Sequence, residues 1–483
     1  MFNQLEKLVH GKQVILAIDN IWGDGGKGTI VDFLGTYWGD VNVRGTGGNN
    51  AGHTTVVDGE KRVFHLVPAG ISGDKDGKIN ILGNGMVIDL GVLCKELDEL
   101  DEGGMTYNHL MISEDAHVTL PYHIILDKRT TGSQKKGGVG STNRGIGPAY
   151  GDKICSRAGI QIRDLFNPDI LTRRFDKLRE SHPNMDIQEE AARAYFEEYA
   201  ERIKPFVRNT IAEVHRAYKE GKHILGEGAQ GLLLSSEFGT YPYVTSSDCS
   251  KNGTATGMGL DAGLVDMCLG IVTFPVMHRV GAGPFPTEII GRDSELYCAE
   301  NNADGSPVHG VIEELQRYEI PFEVIEGDIK YDTHHPNIVG LLNSTNSEEQ
   351  DMGLRLASQN YGATTGRPRR MGWTDLEIVK YGVMVNGPDL VLTKPNCIRG
   401  AETYKMGVGY EGGKEFSRGE KHLRGVKPIY REFEGYDEDI TGMTSIDELP
   451  PGLREGMDVL EQITGGNIRL ISNGPDRNEN IVP

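Results

Sequence analysis

Cationic charge, aromatic side chains, paired cysteines and long apolar runs are all scarce in this chain of 483 residues. Lysine and arginine number 50 against 70 aspartates and glutamates, a formal net charge of −20. So acidic a chain does not hold nucleic acid or an anionic membrane by charge, and neither is expected as a partner. An anionic substrate must instead be met by cations gathered locally. The six cysteines (Cys94, Cys155, Cys249, Cys268, Cys298 and Cys397) contain no C-x-x-C pair, which argues against a disulfide framework and a zinc site and fits a reducing cytosol. No apolar run approaches membrane-spanning length, and the N-terminus lacks a signal-peptide pattern, so a soluble, cytoplasmic protein is expected. A Walker A loop is also missing. Where its first glycine would stand the chain has Ile21, and Gly28 takes the place of the magnesium-holding hydroxyl.

Glycine, by contrast, is abundant, with 65 residues clustered in short motifs without a period. That pattern suggests loops that approach ligands closely rather than a linker or collagen-like chain. The chain is organised around Gln13-Val-Ile-Leu-Ala-Ile-Asp-Asn-Ile-Trp-Gly-Asp-Gly-Gly-Lys-Gly-Thr29. Val14 to Ile18 reads as a buried strand, and Thr29 to Leu34 places apolar residues at helical spacing. Strand, glycine turn and helix in that order make an anion site, because turn amides and the helix N-terminus face one point. Asp24 inside such a cradle repels phosphate unless a metal or a proton transfer explains it. A second glycine loop runs through Val41-Asn-Val-Arg-Gly-Thr-Gly-Gly-Asn-Asn-Ala-Gly-His-Thr54, with His53 at its far end. Hairpin-like alternation is expected from Thr54 to Glu60, then across His65–Ile71 and Ile79–Val87. Near the middle of the C-terminal half, Thr364-Thr-Gly-Arg-Pro-Arg-Arg370 sets three arginines beside a turn, a pattern suited to clamping carboxylates.

Trp22-Gly-Asp-Gly-Gly-Lys-Gly, Gly48-Asn-Asn-Ala-Gly-His-Thr54 and His65-Leu-Val-Pro-Ala-Gly-Ile resemble the signatures of adenylosuccinate synthetase. Six later blocks agree in the family's order: Gly140-Ser-Thr-Asn-Arg-Gly-Ile-Gly-Pro-Ala-Tyr150, Glu227-Gly-Ala-Gln-Gly, Gly239-Thr-Tyr-Pro-Tyr-Val-Thr-Ser-Ser247, Arg279-Val-Gly-Ala-Gly-Pro-Phe-Pro-Thr-Glu288, Gly362-Ala-Thr-Thr-Gly-Arg-Pro-Arg-Arg370 and Ser472-Asn-Gly-Pro-Asp-Arg477. The resemblance implies one large α/β unit (residues 1–483) around a mostly parallel central sheet, with peripheral helices and a homodimeric state. It also implies a ligase that joins L-aspartate to IMP through a 6-phosphoryl intermediate, driven by GTP, with Mg2+ as cofactor. Asp24 is then the base at purine N1 and, with the Gly52 carbonyl, a magnesium ligand, while His53 and Lys27 complete the catalytic set. IMP is assigned to Asn50, Ser141, Thr142, Arg157, Gln230, Thr245, Val280 and Arg367. Aspartate falls to Thr364, Thr365, Arg367 and Arg369. The triphosphate falls to Gly23, Gly26, Lys27, Gly28, Gly52, His53, Thr54, Arg369, Lys394, Asn396, Ser472, Gly474 and Pro475.

Four departures from the family pattern bear on these roles. Gly25 replaces the glutamate that follows the catalytic aspartate, and Asp19-Asn-Ile replaces a small polar lead-in. Thr393-Lys-Pro-Asn396 stands where the family has Thr-Lys-Leu-Asp. A carboxylate there accepts from guanine N1–H and the 2-amino group, whereas Asn396 offers one carbonyl and loses about 1–3 kcal/mol on an unmatched donor. Adenine suits it, so ATP or dATP joins GTP as a candidate donor. The position that reaches across the dimer falls on Ser156 or Arg157, with Arg157 preferred on chemistry. The stretch from about 289 to 351 is much longer than the family's connection and reads as an insertion; its His334-His335 pair, lacking further ligands at set spacing, reads as solvated. Two alternatives stay open: a dGMP-using N6-succinyl-2-aminoadenylate synthetase of the phage type, and a non-catalytic nucleotide-binding regulator. Retention of Asp24 favours IMP over dGMP, and retention of Asp24, His53 and Lys27 favours turnover.

Overall fold

The apolar run near the start forms a strand, Val14–Asp19, buried along its whole length. The computed structural model describes residues 2–57, 59–73, 77–131, 141–302, 306–325, 328–362 and 366–483. The chain divides into two units. Unit one comprises Gly11–Asp19 and Lys27–Cys268; unit two comprises Met1–His10, Asn20–Gly26 and Leu269–Pro483. Both show the α/β architecture that the sequence implies, and the strands of the central sheet are mostly parallel.

In unit one six strands lie side by side in the order Val14–Asp19, Ile224–Glu227, Val41–Arg44, Ile79–Leu82, Leu110–Ser113 and Val207–Arg208, every neighbouring pair parallel. Parallel strands are covered on both faces and so read as continuous apolar runs. Val14, Leu16, Val41, Val43, Ile81 and Ile224 share one core cluster with Val214, Ala255 and Met258. Each Val, Leu, Ile or Met among them contributes roughly 1.5–3 kcal/mol by leaving water. The helix expected after the glycine turn spans Lys27–Tyr37. Its second residue has to be glycine, since a Cβ on Gly28 would overlap the backbone of Thr54.

Of the three stretches expected to alternate as hairpins, only the first does so, with His53–Val57 paired antiparallel to Glu60–Phe64. His65, Leu66 and Val67 instead donate their backbone N–H groups to the buried Glu96 carboxylate. That carboxylate satisfies donors which would otherwise seek a strand partner. Ile79–Leu82 joins the parallel sheet.

The Met267–Thr273 strand enters unit two at Leu269 and pairs from Gly270 onward with Asp389–Thr393, which pairs with Asn467–Ser472, both parallel; Asn480–Ile481 closes that edge antiparallel. Helices Leu376–Asn386 and Pro451–Thr464 and a long hairpin, Ala401–Tyr410 with Pro428–Tyr436, accompany it. The 289–351 stretch is ordered into helices Arg292–Ala299, Val311–Arg317 and Pro336–Leu342, a hairpin of Phe322–Ile325 with Asp328–Tyr331, and a helix, Ser347–Ala357, that runs past its end. Arg355, wholly buried, anchors it by ion pairs to Glu314 at 3.0 Å and to Asp351. Among the described residues no helix is long and apolar enough to cross a membrane.

Candidate active site

Ligands of open parallel sheets sit beyond the carboxyl ends of the strands. In unit one four of the six ends carry a charge: Arg208 is exposed, whereas Asp19, Arg44 and Glu227 are fully buried. Arg44 and Glu227 are register partners on adjacent strands. Burial lowers the Arg44 pKa, and the Glu227 carboxylate counters it. Glu227 takes the Ala69 N–H at 3.0 Å and pairs with His53 Nδ1. Burial opposes the Glu227 charge, yet these partners hold its carboxyl below the ordinary value. The same burial pushes His53 down to about 4, further than Glu227 pulls it up, so the imidazole is neutral at pH 7. A neutral ring that donates Nδ1–H to a carboxylate keeps its lone pair on Nε2.

Lys27 opens its helix with only 3% of its surface exposed; its Nζ donates to the Gln230 carbonyl at 2.5 Å and lies 3.6 Å from Asp19. The glycine loop approaches the same residue, since a Cβ on Gly47 (φ +82°) would meet the Gln230 carboxamide within 3.2 Å. Both polar atoms of that carboxamide are buried without a partner, as are Asn50 Oδ1, Asn49 Oδ1, Thr46 Oγ1 and Arg44 Nε and Nη1. Buried polar atoms are normally satisfied, so this cluster marks a cradle built for a polar ligand. Thus Lys27, Gly28, Thr54, His53 and Gln230 are tied together through Thr54's backbone, Glu227 and the loop. Gly52 lies in the same glycine loop, directly before His53. Ser141 donates to Asp127 at 2.7 Å and Thr142 beside it is exposed. Thr245 is half-buried, its N–H on the Leu234 carbonyl at 2.7 Å. Ser156 is occupied by Asp152 Oδ1 at 2.9 Å, whereas Arg157, at φ +54°, is exposed.

Unit two holds the rest of the glycine turn. Asp24 sits in the left-handed region at φ +57°, and its carboxylate, 34% exposed, is ion-paired with Arg369. The turn is fixed through its carbonyls: Thr393 Oγ1 donates to Gly25 at 2.6 Å and His278 Nε2 to Gly23 at 2.9 Å. Burial, reinforced by Arg369 and Lys394, keeps His278 neutral. Gly26, at φ +93°, packs against Thr393. Lys394 donates to Ser358 O and Asn360 Oδ1 at 3.1 and 3.2 Å, and burial pushes its ammonium down to about 8. Asn396 is half-buried in the turn that follows, Pro395–Ile398. Ser472, buried at the end of its strand, donates to the Gly474 carbonyl at 3.3 Å; Pro475 follows.

The arginine run is divided in use. Arg369 faces Asp24, Arg370 clamps Glu288 through two 2.6 Å bonds, and Arg367 donates to Cys298 O at 3.0 Å and Asn301 Oδ1 at 2.5 Å. Val280 is half-buried next to Arg279, whose guanidinium lies 4.6 Å over the Trp22 ring. Thr364 and Thr365 lie outside the described residues. Sequence reasoning passed over Arg44, Glu227 and His278. A signal existed for the first two, each being the one charged residue of its strand and standing at its end; His278 offered none.

The family model for adenylosuccinate synthetase matches residues 16–481. The chain belongs to the adenylosuccinate synthetase family. It is 37% identical to the adenylosuccinate synthetase of Halothermothrix orenii over 98% of both chains. Identity to that of Ralstonia pickettii is 36%, over 98% of this chain and 97% of the other. Among solved structures, the fully ligated adenylosuccinate synthetase of Plasmodium falciparum superposes with a TM-score of 0.77 at 29% identity, covering 98% of this chain and all of that one. The succinoaminodeoxyadenylate synthetase of cyanophage S-2L, bound to dGMP and dATP, shares the fold (TM-score 0.54, 19% identity, 98% and 95% covered). As a member of this family the chain is a C–N-bond-forming ligase of purine biosynthesis.

Proposed function

We propose that this ligase joins L-aspartate to IMP through a 6-phosphoryl intermediate, with an adenine nucleotide serving as donor at least as well as GTP. Asp24 carries the reading: a carboxylate fixed in a left-handed turn, itself anchored by Thr393 and His278, and answered by Arg369. A fixed carboxylate serves as a base where O6 must become a nucleophile. Asp24 takes the N1 proton of IMP; O6 attacks the γ-phosphorus, the bond from phosphorus to the β-side oxygen breaks, and the nucleoside diphosphate leaves. The amine of aspartate then attacks C6, the C6–O6 bond breaks, and O6 departs with inorganic phosphate while the amine loses a proton. The product is an N6-succinyl purine nucleotide.

Lys27 and the first turn of its helix place positive charge for the phosphates. Neutral His53, backed by Glu227, gains a proton more readily once phosphate charge arrives, and in that form steadies the transferring group. Gln230 and Asn50 offer their unpartnered amides to IMP, with Ser141, Thr142, Thr245, Val280 and Arg157 for its remaining edges. Arg367, Arg369, Thr364 and Thr365 are assigned to aspartate, and Gly23, Gly26, Gly28, Gly52, Thr54, Lys394, Asn396, Ser472, Gly474 and Pro475 to the triphosphate. Adenylosuccinate synthetases use Mg2+ in general, and the donor chemistry here fits it. Among the described residues no three His, Cys, Asp or Glu are gathered for a metal, and Mg2+ characteristically takes one or two protein oxygens and fills its shell with substrate phosphate and water. Asp24 and the Gly52 carbonyl are the hard oxygens that would hold it, and when bound it would neutralise phosphate charge.

The preference for adenine rests on Asn396, whose single carbonyl matches adenine's 6-amino group and leaves one guanine donor unmet. A phosphate-release and product assay with IMP, aspartate and GTP, ATP or dATP tests the reading. Turnover with ATP or dATP at least equal to that with GTP supports it. Turnover on dGMP in place of IMP, or on neither, overturns it.

A further inference from the structure

The 289–351 stretch reaches the turn that carries Asn396. His334 Nε2 lies 3.4 Å from the Asn396 carbonyl, and its Nδ1 is 3.2 Å from the Thr333 hydroxyl. If that hydroxyl donates to Nδ1, Nε2 holds the ring proton and donates to the carbonyl. The His334 backbone is itself set by its N–H on Asp332 Oδ1 at 2.9 Å. Just past the turn, Asn343 Nδ2 donates to the Gly400 carbonyl at 2.8 Å while its Oδ1 takes the Glu402 N–H at 2.8 Å. Between these points helix Pro336–Leu342 comes so close that a Cβ on Gly400 (φ +87°) would sit 2.9 Å from Val339. From the opposite side the turn is held by Tyr436 on the Pro395 carbonyl and by Arg399 on the Asp437 carbonyl at 3.0 Å. No hydrogen bond occupies the Asn396 carboxamide among the described residues.

We infer that the arm from Asp332 to Asn343 is a specificity element for the triphosphate: His334 and Asn343 fix the turn so that the Asn396 carboxamide meets the donor base at one register. The inference rests on the reading of Asn396 as the residue facing that base. His334 is a positioning residue, acting on the base through the Asn396 backbone. Loss of one such bond weakens the aligned contact about five- to tenfold.

The test compares the full chain with His334→Ala, His334→Gln and Asn343→Ala. The readouts are KM and kcat for ATP, dATP and GTP with IMP and aspartate, and the affinities for ATP and GTP alone by calorimetry. His334→Ala is expected to raise KM and Kd for the preferred triphosphate about five- to tenfold and to narrow the adenine-to-guanine ratio by a similar factor. Values for IMP, aspartate and kcat stay within about twofold, and His334→Gln, whose amide donates in place of Nε2–H, restores most of the loss. Asn343→Ala shifts the same constants in the same direction. Unchanged donor constants in both alanine variants, or an equal loss for all three substrates, overturn the inference. Wild-type protein that binds ATP in an arm-dependent way but turns over no IMP sinks the ligase reading while supporting this one. Wild-type preference for GTP removes the role of Asn396 and this inference with it.

Discussion

Replacing Glu227 by glutamine changes one oxygen and disturbs three neighbours. The wild-type carboxylate accepts from Ala69 N–H and from His53 Nδ1 and is the register partner of the buried Arg44. A glutamine Oε1 can keep the Ala69 bond, but its amide then faces Nδ1 and drives the ring proton to Nε2. Behind the ring there is no longer a negative charge to support an imidazolium. Arg44, with two guanidinium nitrogens already unpartnered, loses its largest compensating charge. Removing one member of a buried pair costs about 3–5 kcal/mol; Glu96 still offsets part of the Arg44 charge, so the lower end, about 3 kcal/mol, applies. For a unit of this size that is a fall in melting temperature on the order of 5–10 °C. Loss of the support for charge at His53 lowers kcat by roughly 10²–10³, with KM for IMP moving far less. Thermal unfolding by circular dichroism and initial rates measure both. A variant within about 2 °C and twofold of wild type would refute the Arg44–Glu227–His53 coupling.

Other perturbations separate the remaining parts. Gly28→Ala drives a methyl into the Thr54 backbone, where nothing flexible can yield, so a loss of about 1–3 kcal/mol in stability is expected from overpacking, together with reduced kcat as the His53 strand moves off the helix. Thermal unfolding and rates check it. Asp375, buried beneath Tyr410, has its carboxyl raised to about 7 by that burial. Its folded pKa exceeds the unfolded value of 3.8, so between these pH values the unfolded chain binds fewer protons and stability falls as pH rises. The full difference approaches about 4 kcal/mol above pH 7. Asp375→Asn, which can still accept the helix N-cap bond, flattens that slope in denaturant titrations at pH 5 and 8; an unchanged slope contradicts the assignment.

The sequence was most informative where one signal decided. Val14–Asp19 and Lys27–Tyr37 follow from a buried apolar run and helical spacing across a glycine turn, and the blocks from Trp22 to Arg477 placed the family. Less was legible where a long-range partner decides the conformation. His65 to Val67 alternate as a strand would, but the distant Glu96 carboxylate takes their amides. Arg367, Arg369 and Arg370 look alike in a row, yet their partners lie at Cys298, Asp24 and Glu288. Spacing along a chain does not encode which carboxylate or carbonyl will stand opposite. The same holds for His334, whose contact with the Asn396 turn spans sixty-two positions.

The most direct test of the central claim follows the O6 atom. With IMP labelled at O6 by 18O, aspartate, Mg2+ and the best donor, attack of O6 on phosphorus followed by C6–O6 cleavage carries the label into inorganic phosphate. Mass spectrometry of the released phosphate is predicted to find one labelled oxygen per N6-succinyl product formed. Product formed with unlabelled phosphate would contradict the 6-phosphoryl intermediate and the role assigned to Asp24.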